Sequence, residues 1–322
     1  MTEQQWHAGM LSGALGFGFN IRFLQDAGFQ FDSDPFEPLD EYLSHWLEHD
    51  PAIRSDMAHG IVGLGIFGIL RSQTSVGRHY VDMVVHWLSE RVHQTDRGLF
   101  WPGLIITEPE DARTNYWHWL GVAHGVGGIV GFLAQARSLN IRVNDCELLL
   151  EGAVRYVLET KRMEKATRPP ESPGWCWGDL GLGMTLVLAG QACARADWQD
   201  EGVRFARESI AQTERISTLC LCHGTSGAAH LFGRFYQISN DDEFRSAAKR
   251  MLRATLESAQ KNGPARFLFE VLMSGNELSE PYPSRGFLVG SSGIGACLLS
   301  ATTPGRSLWE TMLLMAPATL ER

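Results

Sequence analysis

The 322-residue sequence has no uninterrupted apolar run of about 18 residues or more, so no membrane-spanning helix is expected. Its first residues, MTEQQWHAG, lack a basic start leading into an apolar run. No secretory signal is therefore expected, and the cytoplasm is the expected compartment. Basic residues are in deficit: 28 Lys and Arg stand against 37 Asp and Glu, a net charge of −9. Nucleic acid and anionic membranes both select for basic surface, so neither is expected as the main partner; a neutral or basic peptide is electrostatically compatible. Low-complexity tracts and long linkers are missing, and strand-type alternation is scarce. Cysteine is sparse too. The six cysteines (146, 176, 193, 220, 222 and 297) are scattered. In a long chain without a signal they read as reduced thiols or metal ligands, not as a disulfide framework.

What the sequence does have is glycine at a fixed interval. A Gly-x-x-Gly element recurs six times, at Gly13/Gly16, Gly60/Gly63, Gly125/Gly128, Gly178/Gly181, Gly224/Gly227 and Gly290/Gly293. The repeats start roughly 45–65 residues apart, the length of a helical hairpin with variable loops. Small and apolar residues follow, as in GIVGLGIFGIL, GVGGIVGFLAQA and GTSGAAHLFGRF. A helix without a polar face is buried on every side. Glycine costs about 1 kcal/mol relative to alanine inside a helix, so its recurrence needs a packing reason such as close approach of neighbouring helices.

Between these segments lie amphipathic stretches, at 76–92, 143–162, 241–258 and 306–315, with apolar residues at three- and four-residue steps. Buried inner helices alternating with half-exposed outer ones predict an all-α fold, an α/α toroid of six to seven helical hairpins. An open solenoid has the same local pattern. Closure is preferred because no capping repeats are apparent at either end. One domain spanning 1–322 is expected.

The residues just before each first glycine crowd at one mouth of such a ring. They are Leu11-Ser12, Ala58-His59, Ala123-His124, Cys176-Trp177, Cys222-His223 and Leu288-Val289. Cysteine and histidine are concentrated there. Thiolate and imidazole suit zinc, which takes four ligands, and Cys176, Cys222 and His223 supply three. A fourth position is then left for water or substrate, as in a catalytic zinc site.

The motifs WCWGDLG (175–181), LCHGTSG (221–227), GVAHGVGG (121–128) and GFLVGSSG (286–293) resemble, in order, those of the lanthionine synthetase C-like family. Through the glycine repeat the resemblance covers nearly the whole chain. It implies a toroid of seven hairpins around a zinc ion held by Cys176, Cys222 and His223. It also implies His124 as the catalytic acid/base and Asp56 as an active-site aspartate. The implied reaction is addition of a peptide cysteine to dehydroalanine or dehydrobutyrine, giving lanthionine or methyllanthionine. The implied partner is a dehydrated precursor peptide, a leader plus a Ser/Thr/Cys-containing core, with a dehydratase as a further candidate.

Two thiolates around Zn²⁺ make a neutral site, and a third leaves it near −1, which keeps an incoming sulfur nucleophilic. A histidine suits protonation of the resulting enolate. His59, Trp175 and Trp177 are site-lining candidates; His118, His230, Cys220 and Cys297 read as structural.

The chain departs from the family pattern in three ways. Ser172 stands where family cyclases often carry arginine, with Arg168 four residues upstream as a substitute. Six repeats are visible instead of seven. The interval from about 25 to 55 is too short for the extra domain that some members insert. Competing readings are a non-cyclising relative acting on glutathione or other thiol adducts, and a zinc-containing peptide-binding scaffold. A carbohydrate-active or terpenoid enzyme is a third, but it needs paired carboxylates, and only Asp56 and Asp179 lie in or beside the motifs.

Overall fold

The computed structural model describes residues 7–11, 13–50, 53–102, 120–165, 173–261, 267, 282–303, 305 and 307–318. Twelve α-helices stand among them: α1 (Ala14–Asp26), α2 (Glu37–His49), α3 (Ile61–Leu70), α4 (Ser75–Glu90), α5 (Val126–Ser138), α6 (Val143–Lys165), α7 (Asp179–Ala192), α8 (Ala196–Ile210), α9 (Thr225–Ser239), α10 (Asp242–Lys261), α11 (Ser291–Thr302) and α12 (Leu308–Met312). A two-stranded antiparallel ladder joins β1 (His93–Gln94) to β2 (Leu99–Phe100).

Each first glycine of the six pairs is the N-cap of an inner helix, from Gly13 before α1 to Gly290 before α11. None of these helices has a side-chain cap. The preceding turn instead folds back and supplies carbonyls to the free N–H groups, as in Ile61 N–H to Arg54 O at 2.8 Å and Thr225 N–H to Thr218 O at 2.9 Å. This turn explains the second glycine. A Cβ on Gly227 would overlap the Leu221 carbonyl oxygen, and one on Gly181 the Trp175 carbonyl oxygen. The close approach behind the glycine pairs is therefore between each helix and its own entry turn. Contact between neighbouring helices accounts for other glycines, such as Gly183 of α7 against Gly202 of α8.

The middle inner helices α3 and α7 are buried all round, every residue of the one and eleven consecutive residues of the other, whereas the first and last inner helices, α1 and α11, leave Phe17 and Leu299 exposed. Outer helices bury one stripe. In α4 it is Tyr80, Val81, Val84, Val85 and Leu88, a helical period. Each outer helix packs on its own inner partner (α4 on α3, α6 on α5, α8 on α7, α10 on α9). Successive inner helices α1, α3, α5, α7, α9 and α11 pack side by side. The architecture is an α/α toroid.

One expectation is corrected here. The stretch 306–315 is not a half-exposed outer helix. α12 and the turn after it are buried throughout, from Trp309 to Ala316, and pack against α1 and α3. Leu314 meets Gly131 of α5, and Gln135 donates to Ala316 O at 2.8 Å. The one carboxylate, Glu310, is fully buried yet paired with His230 at 2.9 Å and with Arg234, both on α9. That pairing lets a charged residue sit inside the ring.

Candidate metal centre

The entry turns are tied together by backbone hydrogen bonds that run from repeat to repeat. Met10 N–H donates to Ala58 O (2.9 Å), Ala58 to Ala123 O (3.1 Å), Ala123 to Cys176 O (3.1 Å), Cys176 to Cys222 O (3.3 Å) and Cys222 to Leu288 O (3.0 Å). From the second repeat on, these are equivalent positions, two before the first glycine. The ladder fixes the turns in register and brings side chains far apart in sequence to one mouth.

Cys176, Cys222 and His223 meet there, with their ligand atoms within 4.8 Å of one another. Cys176 Sγ and His223 Nδ1 are 4.0 Å apart. Around a tetrahedral zinc with Zn–S about 2.3 Å and Zn–N about 2.0 Å, donor atoms lie about 3.5–3.8 Å apart. The three residues can therefore hold a metal ion with little movement. Both cysteines are buried and His223 is half-buried.

The electrostatics fit the same purpose. Cys222 donates to the Cys176 sulfur, which holds the Cys176 thiol below its ordinary value and that of Cys222 well above. Burial disfavours a charged His223, but hydrogen bonds to the Cys176 and Cys220 sulfurs outweigh it and raise its pKa to about 10. Thiolate and imidazolium thus share protons where a divalent cation can replace them.

Four of the residues that stand one before a first glycine stack in two pairs. The Trp177 indole lies on His223, with centroids 5.5 Å apart, and the His59 imidazole lies on His124 at 5.3 Å. His124 belongs to the turn hydrogen-bonded to that of Cys176. Its Nδ1 lies 3.3 Å from Asp56 Oδ1, which also accepts the His59 backbone N–H at 2.9 Å. Burial alone would raise the Asp56 carboxyl. The hydrogen bonds from His124 and the His59 N–H, with the charge of both rings, outweigh it and hold the carboxyl below its ordinary value.

The two tryptophans part company. Trp177 is 40% exposed over the metal cluster. Trp175 is not site-lining: it is buried in the core, where its indole N–H donates to Leu313 O at 2.7 Å. Asp179 is engaged by Lys161 at 2.8 Å. His230 and Cys297 are structural, the first paired with Glu310 and the second buried in α11. Arg168, Ser172 and His118 lie outside the described residues.

Cys220, read from sequence as merely structural, is a hydrogen-bond partner of the candidate ligand His223 and lies 3.6 Å from Thr218 Oγ1. A positional signal for it existed. The slot four before the first glycine holds glycine at 9, 121, 174 and 286, and departs from it only at Asp56 and Cys220.

The sequence pattern of the family described as lanthionine synthetase C-like protein matches residues 2–314. Among solved structures, the fold is similar to that of nisin cyclase, with a TM-score of 0.70 at 18% identity, covering 96% of this chain and 80% of that one. The chain is a member of the lanthionine synthetase C-like family.

Proposed function

We propose that the protein is a zinc-dependent peptide cyclase, which adds cysteine thiols of a dehydrated precursor peptide to dehydroalanine or dehydrobutyrine to form lanthionine or methyllanthionine rings. The observation that carries this reading is the convergence of Cys176, Cys222 and His223 within 4.8 Å. Three protein donors leave a tetrahedral cation one position for substrate. When bound, zinc supplies a Lewis acid that ionises a substrate thiol at neutral pH.

The chain's own groups do the rest. Attack of sulfur on the β-carbon forms the S–C bond and moves the π pair into an enolate, which must take a proton at the α-carbon. His124 is the donor. Asp56 engages its Nδ1, so Nε2 is the nitrogen left to carry and release the proton. The buried, ionised Asp56 fixes the tautomer and steadies the imidazolium. Trp177 covers one face of His223.

The test is incubation of the zinc-loaded protein with a dehydrated, cysteine-containing peptide, followed by thiol alkylation and mass measurement. Loss of alkylatable thiol without a mass change supports the reading; every cysteine remaining alkylatable contradicts it. His124→Asn should keep zinc and slow ring closure by about 10²- to 10⁴-fold. Wild-type turnover in that variant would contradict its assignment.

A further inference from the structure

His59 has no counterpart in the motifs that carry the family resemblance, yet it shares Asp56 with His124 and stacks on that ring. Its backbone N–H and the His124 ring converge on the same oxygen, Asp56 Oδ1. The two imidazoles lie nearly parallel, 25° apart, with centroids at 5.3 Å. Two consequences follow from that geometry. Stacked rings turn their nitrogens outward along their edges and not toward each other, which favours separate proton transfers over a relay. Two imidazolium charges at this separation repel, so a charge on the His124 side disfavours one on His59. Asp56 engages the His124 ring at Nδ1 and the His59 residue at its backbone N–H.

We propose that His59 is a second catalytic residue, the neutral base that receives the proton of the arriving thiol while His124 acts as the acid. The assignment rests on the cyclase reading. In the step, the thiol S–H bond breaks and its proton passes to a His59 ring nitrogen. Sulfur bonds to the β-carbon, the π electrons move to the enolate, and the His124 proton bonds to the α-carbon. One proton is taken up and one is released. Both rings are half-buried, so each resets by exchange with water.

The surroundings of His59 agree. Burial is the largest influence on its ring and lowers its pKa, and the charges of His124, Arg54 and His7 act in the same direction. Asp56 opposes them. His7 packs edge-on against His59 with centroids 6.2 Å apart, and its own Nδ1 accepts the Gly9 N–H at 3.2 Å.

Two measurements on the zinc-loaded full chain test this. The first is an NMR titration of the histidine rings in the wild type and in His124→Asn. Removing the neighbouring charge should move the His59 titration to higher pH; an identical His59 titration in both overturns the repulsion between the rings. The second uses a synthetic peptide with one cysteine and one dehydroalanine. His59→Ala should retain zinc, lower kcat by about 10²-fold with little change in KM, and lose the acidic limb of the pH profile. Free imidazole should restore part of the rate. His59→Gln, of similar reach, guards against a folding effect and should behave as His59→Ala does. An unchanged kcat and pH profile in both variants overturns the assignment and leaves the cyclase reading intact. A wild-type chain that forms no thioether sinks the cyclase reading and the thiol-base role with it, and the titration alone then decides whether the two rings repel.

Discussion

The indole of Trp177 lies 16° from parallel to the imidazole of His223, with ring centroids 5.5 Å apart. The two residues occupy the same slot in adjacent repeats, and so do His59 and His124, which stack in the same manner. One geometric device, repeated around the mouth, orients a metal-ligand candidate in one place and a pair of proton carriers in another.

Trp177→Ala removes the wall that holds the His223 ring. Groups that orient a metal ligand typically contribute about 10- to 100-fold in affinity. Zinc affinity, measured by competition with a chromogenic chelator, should fall by about 10-fold, while Trp177→Phe retains most of it. The side chain is exposed, so the thermal midpoint should hardly move. Unchanged affinity in Trp177→Ala would make the stack incidental.

Glu310 governs how the C-terminal segment sits inside the ring. Burial pushes its carboxyl up, but His230, Arg234 and the Ser307 N–H outweigh burial and hold it at about 2. A carboxyl depressed in the folded state adds stability that is complete above its unfolded pKa, about 4.3, and is lost as pH falls through the folded value. Glu310→Gln should cost about 3–5 kcal/mol at pH 7, because the largely buried Arg234 loses its charged partner. Urea titrations of the two proteins should converge as the pH is lowered from about 4 towards 2. A gap independent of pH would mean that packing, not charge, holds α12.

Glycine substitutions in α9 separate turn geometry from helix propensity. Gly227→Ala places a Cβ against the Leu221 carbonyl, in the turn that carries Cys222 and His223. Zinc affinity should fall although no ligand has changed. At Gly233 a Cβ meets open space, so Gly233→Ala should stabilise by about 0.5–1 kcal/mol and leave zinc binding alone. Equal effects at the two positions would refute the turn argument.

The inner helices and the ligand slots were legible because the constraint behind them is local. A turn folded onto its own helix forbids Cβ atoms at Gly224 and Gly227, and that spacing is written in the sequence. Once the repeats are aligned, Cys176 falls beside Cys222 by position alone. α2 leaves little periodic trace, because of its thirteen residues only Leu43 and Trp46 are buried. The burial of α12 was hidden for a different reason. Its apolar steps fit an outer helix, and the partners that neutralise Glu310 lie far upstream on α9. Long-range charge pairing leaves no periodic trace. Cys220 carries a weaker signal, because it precedes the Cys-His dipeptide and stands outside the two slots before the glycine where cysteine and histidine concentrate.

The most direct measurement is zinc content combined with zinc-edge X-ray absorption on the purified wild type and on Cys222→Ala. The expected result is one zinc per wild-type chain, with two sulfurs at about 2.3 Å and nitrogen or oxygen neighbours at about 2.0–2.1 Å. Cys222→Ala should contain none. Stoichiometric zinc in Cys222→Ala, or a wild-type shell closed by a fourth protein ligand, would contradict a site that keeps one position for an incoming thiol.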